Sequence, residues 1–271
     1  INAKGYGLTM GLHTRIDETI QTVIDQAHVG NLYINRNIVG AVVGVQPFGG
    51  EGLSGTGPKA GGPLYMYKLM QPNSLAFAKP FGTLSQVAEP SDDQSSIQIF
   101  KPWAAKHFPQ INLEKIHSPV GIYTLPGPTG EANQYSVLAR QRVLSIAQNE
   151  AQQLAQLNAI FTVGAQAVVL ADNTFVLQHL HSMPEALRAQ IVMIKDAQTG
   201  EFDGVLHHGS THDLIELQKT IALREGAIIG IHHFKDTELH IPVDALVIER
   251  ALSINTAAAG GNASLMTLED A

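Results

Sequence analysis

The chain has 271 residues, 44% hydrophobic and 15% charged, with a formal net charge of −7 and no cysteine. That apolar mass suffices for one large or two smaller packed domains and excludes a disordered chain. The acidic balance, with no run of Lys and Arg, argues against a nucleic-acid-binding surface, and the absence of cysteine rules out disulfides, thiolate metal sites and a Cys nucleophile within these residues.

No stretch reaches the ~20 apolar residues of a spanning helix and no secretory signal pattern opens the chain, so the expected setting is cytoplasmic. The sequence starts in mid-pattern with "INAKGYGLTMGL", as a piece of a longer protein would. Residues 1–70 read as one block. "RIDETIQTVIDQAHVGN" is a helix with Ile16, Ile20, Val23, Ile24 and Ala27 on one face and Gly30 at the C-terminal cap position. "NLYIN" and "GAVVGV" are strands, followed by a Gly-rich stretch. Residues 71–116 hold Pro72, Pro80, Pro90, Pro102 and Pro109 and read as a connection without regular elements. Trp103 pins that connection to a domain surface.

From residue 117 strands and helices alternate. "VGIYTLPG" and "RVLSIA" are strands. "NEAQQLAQLNAIFTVG" is a helix capped by Asn149 and closed by Gly164. "QAVVLA" is a strand, and "NTFVLQHLHSMPEALRAQ" is helical, broken near Pro184. "IVMIKD" and "DGVLHH" are strands, "STHDLIELQKTIALREG" a helix with the Ser210/Asp213 capping signal, and "AIIGIHHF" and "DALVIE" strands. This alternation predicts an α/β fold with a Rossmann-like, mostly parallel sheet over residues 117–250. Residues 251–271 form a small, polar tail. Its Leu252, Ile254, Leu265 and Met266 predict an extended segment packed on the 1–70 block.

The stretch Gly50-Glu51-Gly52-Leu53-Ser54-Gly55 matches G-x-G-x-x-G. A dinucleotide turn needs a strand before it, a helix opening at it and an acid about 20 residues on. The strand is predicted, but Gly57, Pro58, Gly61, Gly62 and Pro63 forbid the helix, and no Asp or Glu occurs from Gly52 to Ala88. Backbone N–H groups and a Ser hydroxyl in such a loop suit a carboxylate instead.

"YGLTMGLHTRI" followed by "GNLYINRNIVGAVVGVQPFGGEGLSGTGPKAGGP" resembles the end of an aldehyde dehydrogenase catalytic domain, in the form found in bifunctional bacterial proline-catabolic enzymes. The tail "LSINTAAAGGNASLMTLE" is similar to the C-terminal motif of longer members. The resemblance implies a catalytic-domain end over 1–70, a connection over 71–116, a Rossmann-like noncatalytic lid over 117–250 and a tail motif over 251–271. It implies that Phe48 walls the aldehyde tunnel and that Ser54 and Gly55 bind the carboxylate of glutamate semialdehyde, through the hydroxyl and the N–H. It implies a parent using NAD and FAD, a homo-oligomer either cytoplasmic or peripheral at the inner membrane, with this chain contacting the other domains of its own polypeptide. The family's Cys nucleophile and Glu base are not matched here, so the chain alone is expected to be inactive and to bind no cofactor. "SPVGIYTLPGPTGEANQY" is similar to the strand and turn that open the family's cofactor domain, but Gly127–Gly130 replaces its Trp-Asn pair; a helix N-terminus at "GPTGE" would attract an anion.

His207, His208 and His212 invite a zinc reading, but Gly209 and Ser210 interrupt any helix between them, and no acid or Cys completes the set. His232 and His233 point to opposite faces of a strand. An independent nucleotide-binding or regulatory module and a structural oligomerisation domain are the competing functions.

Overall fold

The computed structural model describes residues 1–43, 45–66, 85–88 and 95–256. The first block runs β1 (Tyr6–Gly7), β2 (Thr9–Leu12), α1 (Asp17–Gln26), β3 (Asn31–Ile34) and β4 (Glu51–Gly52). β5 (Ser85–Ala88) and α2 (Ser95–His107) follow, then β6 (Gly121–Leu125), β7 (Glu131–Ala139), β8 (Arg142–Ile146), α3 (Glu150–Val163), β9 (Gln166–Leu170) and α4 (Thr174–His179). The last described elements are α5 (Glu185–Arg188), β10 (Ile191–Ile194), β11 (Gly204–His208), α6 (Thr211–Ala222), β12 (Gly230–Phe234) and β13 (Val247–Asn255).

Two sheets organise these elements. One has the order β10-β9-β8-β11-β12, and its neighbouring strands pair in parallel. Its first three strands run outward one way and the last two the other way from β8, the doubly wound arrangement predicted from the alternation. α3 is buried on nearly every side, its N-terminus capped by the Asn149 side chain accepting from Gln152 N–H and its C-terminus closed by Gly164 at φ 85°. α6 carries the full Ser210/Asp213 capping box. Pro184 separates α4 from α5.

The second sheet has the order β2-β3-β13-β7-β6-β5 and draws strands from both ends of the chain. β13 lies antiparallel to β7 along nine residues and parallel to β3, with Ala251–Ile254 opposite Asn31–Ile34. Thus "VGIYTLPG" and "DALVIE" are not strands of the parallel sheet. "GPTGE" turns β6 into β7 as a hairpin, with Glu131 N–H donating to Pro128 O at 3.1 Å, so no helix N-terminus stands there. A division at residues 70, 117 and 250 therefore cuts through one sheet. Leu252 and Ile254 pack with Ile20, Leu32 and Ile34, while Leu265 and Met266 lie outside the described residues.

Other differences have local causes. Ala41–Val43 and Val45 form a turn rather than a strand: the N–H groups of Val45 and Gln46 both donate to Val42 O, and Val43 is largely exposed. β-branched residues favour a strand only where a partner strand is at hand. Ile16, predicted on the inner face of α1, is its exposed N-cap, and the helix ends at Ala27 rather than Gly30. Residues 95–108 are core, not connection. Ile97, Phe100, Trp103, Ala104 and Phe108 are buried at helical spacing, and their burial outweighs the ~3 kcal/mol that Pro102 costs inside a helix.

Candidate functional site: the glycine loop and its floor

The Gly-rich loop is closed at its base by a two-bond bridge, Phe48 N–H to Ala60 O at 3.0 Å and Ala60 N–H to Phe48 O at 2.8 Å. Within it, Glu51–Gly52 pairs antiparallel with Tyr6–Gly7. Ser54 Oγ accepts from Gly7 N–H at 3.3 Å, which leaves its hydroxyl proton available to an anion. Gly55 N–H donates to Gly52 O at 2.9 Å, so it is engaged in a turn, and a carboxylate contact from it requires that turn to open. Phe48 is 38% exposed beside the loop. Among the described residues no strand leads directly into the loop and no helix opens within Gly50–Gly62, so the setting of a dinucleotide turn is not met there.

The floor beneath the loop is polar and buried, and sequence reasoning missed it. Lys59 is 2% exposed. Its Nζ donates to Gly30 O at 2.6 Å, to Asn31 Oδ1 at 3.1 Å and to Gly49 O. Asn31, fully buried, donates from Nδ2 to Pro47 O at 2.8 Å and accepts Gly49 N–H at Oδ1. Glu249 on β13 accepts Lys59 N–H at 2.9 Å through Oε2 and the Tyr135 hydroxyl at 2.5 Å through Oε1. Burial lowers Lys59 to about 8, against the attraction of Glu249 and Glu51; burial raises Glu249, opposed by its bonds to Tyr135 and Lys59. Gly30 is glycine because the loop crosses it: a Cβ there would lie 1.9 Å from Gly49 O.

A neighbouring β13 residue, Arg250, holds Glu51 of the loop through two bonds of 2.8 Å, and Arg36 bridges Glu131 and the Ser253 hydroxyl at 2.7 Å each. A cavity of about 570 Å³ opens between Gly50–Lys59 and the parallel-sheet side, where Arg140, Arg224 and His232 contribute to its wall. The one available signal was Glu249 itself, a charged residue on the inward phase of the alternating strand "VIERALSIN".

A second cavity, about 370 Å³, lies at the C-terminal ends of β8 and β9, where doubly wound sheets bind nucleotides. Its wall includes Gln148, Asn149, Gln153 and Asn173 with the acids Glu150 and Asp172, and among the described residues no Lys, Arg or His. Asn149 and Asn173 already cap the two helices that begin there. Each capping side chain takes one N–H of its helix end, so what this wall offers a phosphate is the remaining first-turn N–H groups, set against the acids Glu150 and Asp172. Among the described residues no group of three or more His, Asp or Glu is placed to hold a metal. His207 and His208 are buried on β11, and exposed His212 lies apart from them in α6. His207 instead meets His233 across the strands, Nδ1 to Nδ1 at 3.0 Å.

Residues 1–75 match the aldehyde dehydrogenase family. Over 99% of its length the chain is 47% identical to the bifunctional protein PutA of Escherichia coli strain K12 and 40% identical to that of Rhizobium meliloti, covering 21% and 22% of those proteins. It is 48% identical to the 1-pyrroline-5-carboxylate dehydrogenase of Bacillus subtilis strain 168 over 77 residues, 28% of this chain and 15% of that one. The structure of PutA from Corynebacterium freiburgense shares the fold at a TM-score of 0.51 and 18% identity, over 95% of this chain and 24% of that one. The chain therefore spans about a fifth of the length of the curated PutA relatives it matches. It is a PutA-related sequence that begins with an aldehyde dehydrogenase-family segment.

Proposed function

We propose that the chain works within a longer bifunctional proline-catabolic enzyme, which oxidises proline with FAD and then oxidises the resulting glutamate semialdehyde to glutamate. The observation that carries this reading is the "QPFGGEGLSG" loop, held over a buried floor with the Ser54 hydroxyl at its tip. An aldehyde that also bears a carboxylate needs an anion contact several atoms from the reacting carbon. The Ser54 hydroxyl donates to that carboxylate, Gly55 adds its N–H as its turn opens, and Phe48 walls the approach. NAD, held by the dehydrogenase domain, accepts the hydride in the second step. The nucleophile and general base come from other parts of the polypeptide, since this chain has no cysteine. Residues 117–250, which follow the loop, act as a lid, shielding the path of the intermediate from water.

Two measurements test this. The isolated 271-residue chain, given NAD and glutamate semialdehyde, produces no NADH; turnover overturns the proposed division of labour. In the full-length enzyme, Ser54→Ala lowers the ratio of kcat/KM for glutamate semialdehyde over propanal about tenfold or more, the loss of one charge-assisted hydrogen bond of about 1.5–3 kcal/mol. An unchanged ratio sinks the loop reading. An independent nucleotide-binding module has the sheet order in its favour and the cation-free cavity against it; calorimetric titration of the isolated chain with NAD, expected to give no heat of binding, decides between them.

A further inference from the structure

We propose that Lys59 and Glu249 are positioning residues for the carboxylate-anchoring loop, so that β13 sets the substrate affinity of a loop 190 residues earlier in the chain. The inference rests on the loop reading above. Lys59 lies one residue before the bridge that closes the loop, and all three acceptors of its amine belong to the loop base or to the start of β3. Its own N–H is held by Glu249, whose other oxygen is held by Tyr135 from the centre of β7. Two sheet strands thus meet the loop through one carboxylate.

The tightness of the floor gives this linkage its leverage. Gly30 and Gly49 touch with no space for a methyl group, and a Cβ on Gly49 would stand 3.3 Å from the Lys59 backbone. A loop seated that closely transmits a shift of Lys59 to Ser54 rather than absorbing it, and displacements near 1 Å in a positioning group cost rate and affinity out of proportion to their size. Stability alone does not account for the arrangement. Buried charged groups are commonly replaced by apolar residues with no loss of stability, and Lys59 and Glu249, joined through the Lys59 backbone N–H rather than its amine, are both pushed by burial toward their neutral forms. What apolar residues cannot supply is the set of directed bonds to Gly30 O, Gly49 O and Asn31.

The test uses the full-length enzyme and two substrates, glutamate semialdehyde and propanal, which lacks the carboxylate. Glu249→Gln keeps the volume and removes the charge; Lys59→Met removes the three amine bonds. Each is expected to raise KM for glutamate semialdehyde about five- to tenfold with kcat within twofold, and to lower the semialdehyde/propanal ratio of kcat/KM by a similar factor. Glu249→Asp, which retains the carboxylate, is expected to recover part of the loss. A parallel decline with both substrates, or an unchanged ratio, overturns the inference. If Ser54→Ala lowers the ratio while Glu249→Gln leaves it alone, positioning fails and the loop reading stands; if Ser54→Ala has no effect, the loop reading itself fails. Should Lys59→Met not fold, the near-isosteric Glu249→Gln decides.

Discussion

Replacing Trp103 by Ala separates a core helix from a surface connection over residues 95–108. The indole is 5% exposed and stacks among Phe100 at 6.0 Å, His107 at 5.4 Å and Phe108 at 5.7 Å between centroids. Its Nε1–H donates to Ser182 O at 3.0 Å, tying α2 to the segment between α4 and α5. A buried Trp→Ala change costs about 3–5 kcal/mol, and the lost indole bond accounts for about 1 kcal/mol of that. For a chain of this size each kcal/mol lowers Tm by about 2–4 °C, so a fall on the order of 10 °C is expected in a melt followed by far-UV circular dichroism. Because Trp103 is the chain's one tryptophan, its emission reports the same site: it is expected to be blue-shifted and poorly quenched by acrylamide. A Trp103→Ala variant that melts within 2 °C of the parent, or a fully quenchable tryptophan, would refute the placement of α2 in the core.

Acidification should destabilise the parallel-sheet unit through His208. Glu238 O can only accept, so His208 Nε2 carries the proton and Nδ1 accepts from Gln156 Nε2, both at 2.7 Å, which is the neutral ring. Burial lowers the pKa of His208 and of His207 from 6.5. Below 6.5 the unfolded chain therefore binds more protons than the folded one, and their contribution, complete above 6.5, is lost as pH falls. Urea midpoints measured from pH 8 to pH 5 should decline, and His208→Gln should flatten the slope; an unaltered slope would exclude His208 as its source. Gly30→Ala should cost about 2 kcal/mol or more, since the clashing atom is backbone, and should also lower the semialdehyde/propanal ratio in the full-length enzyme; a melting temperature equal to the parent's would show that the loop does not cross Gly30 closely.

The parallel sheet was legible because its evidence is local. Asn149, Gly164, Ser210 and Asp213 mark the ends of α3 and α6 within a few residues of where they act. The mixed sheet was not legible, because "VGIYTLPG" and "DALVIE" look the same whether they pair in parallel with a βαβ neighbour or antiparallel with each other's partner. α2 was hidden by Pro102, whose cost is local while its compensation lies in α3 and α4, as in the Phe100–Phe161 contact at 5.4 Å. For the site, Phe48, Ser54 and Gly55 came from motif resemblance, whereas Lys59, Asn31 and Glu249 are joined by contacts that no short-range spacing encodes. Gly30 was noticed for the wrong reason: it is small for the sake of Gly49, not to end a helix.

The parallel pairing of β3 with β13 has a consequence for how the molecule is made. Asn31–Ile34, paired on one side with β2, finds its second partner only when Ala251–Ile254 has been synthesised. Until then the floor of the loop presents an open strand edge to the ribosome's surroundings, the kind of edge that recruits stray strands. The parallel sheet, built of near neighbours in sequence, can form meanwhile, and loop-closure entropy makes the β3–β13 contact late. Stopping translation before residue 247 should leave a chain that keeps its doubly wound half and sticks to its own kind through β3.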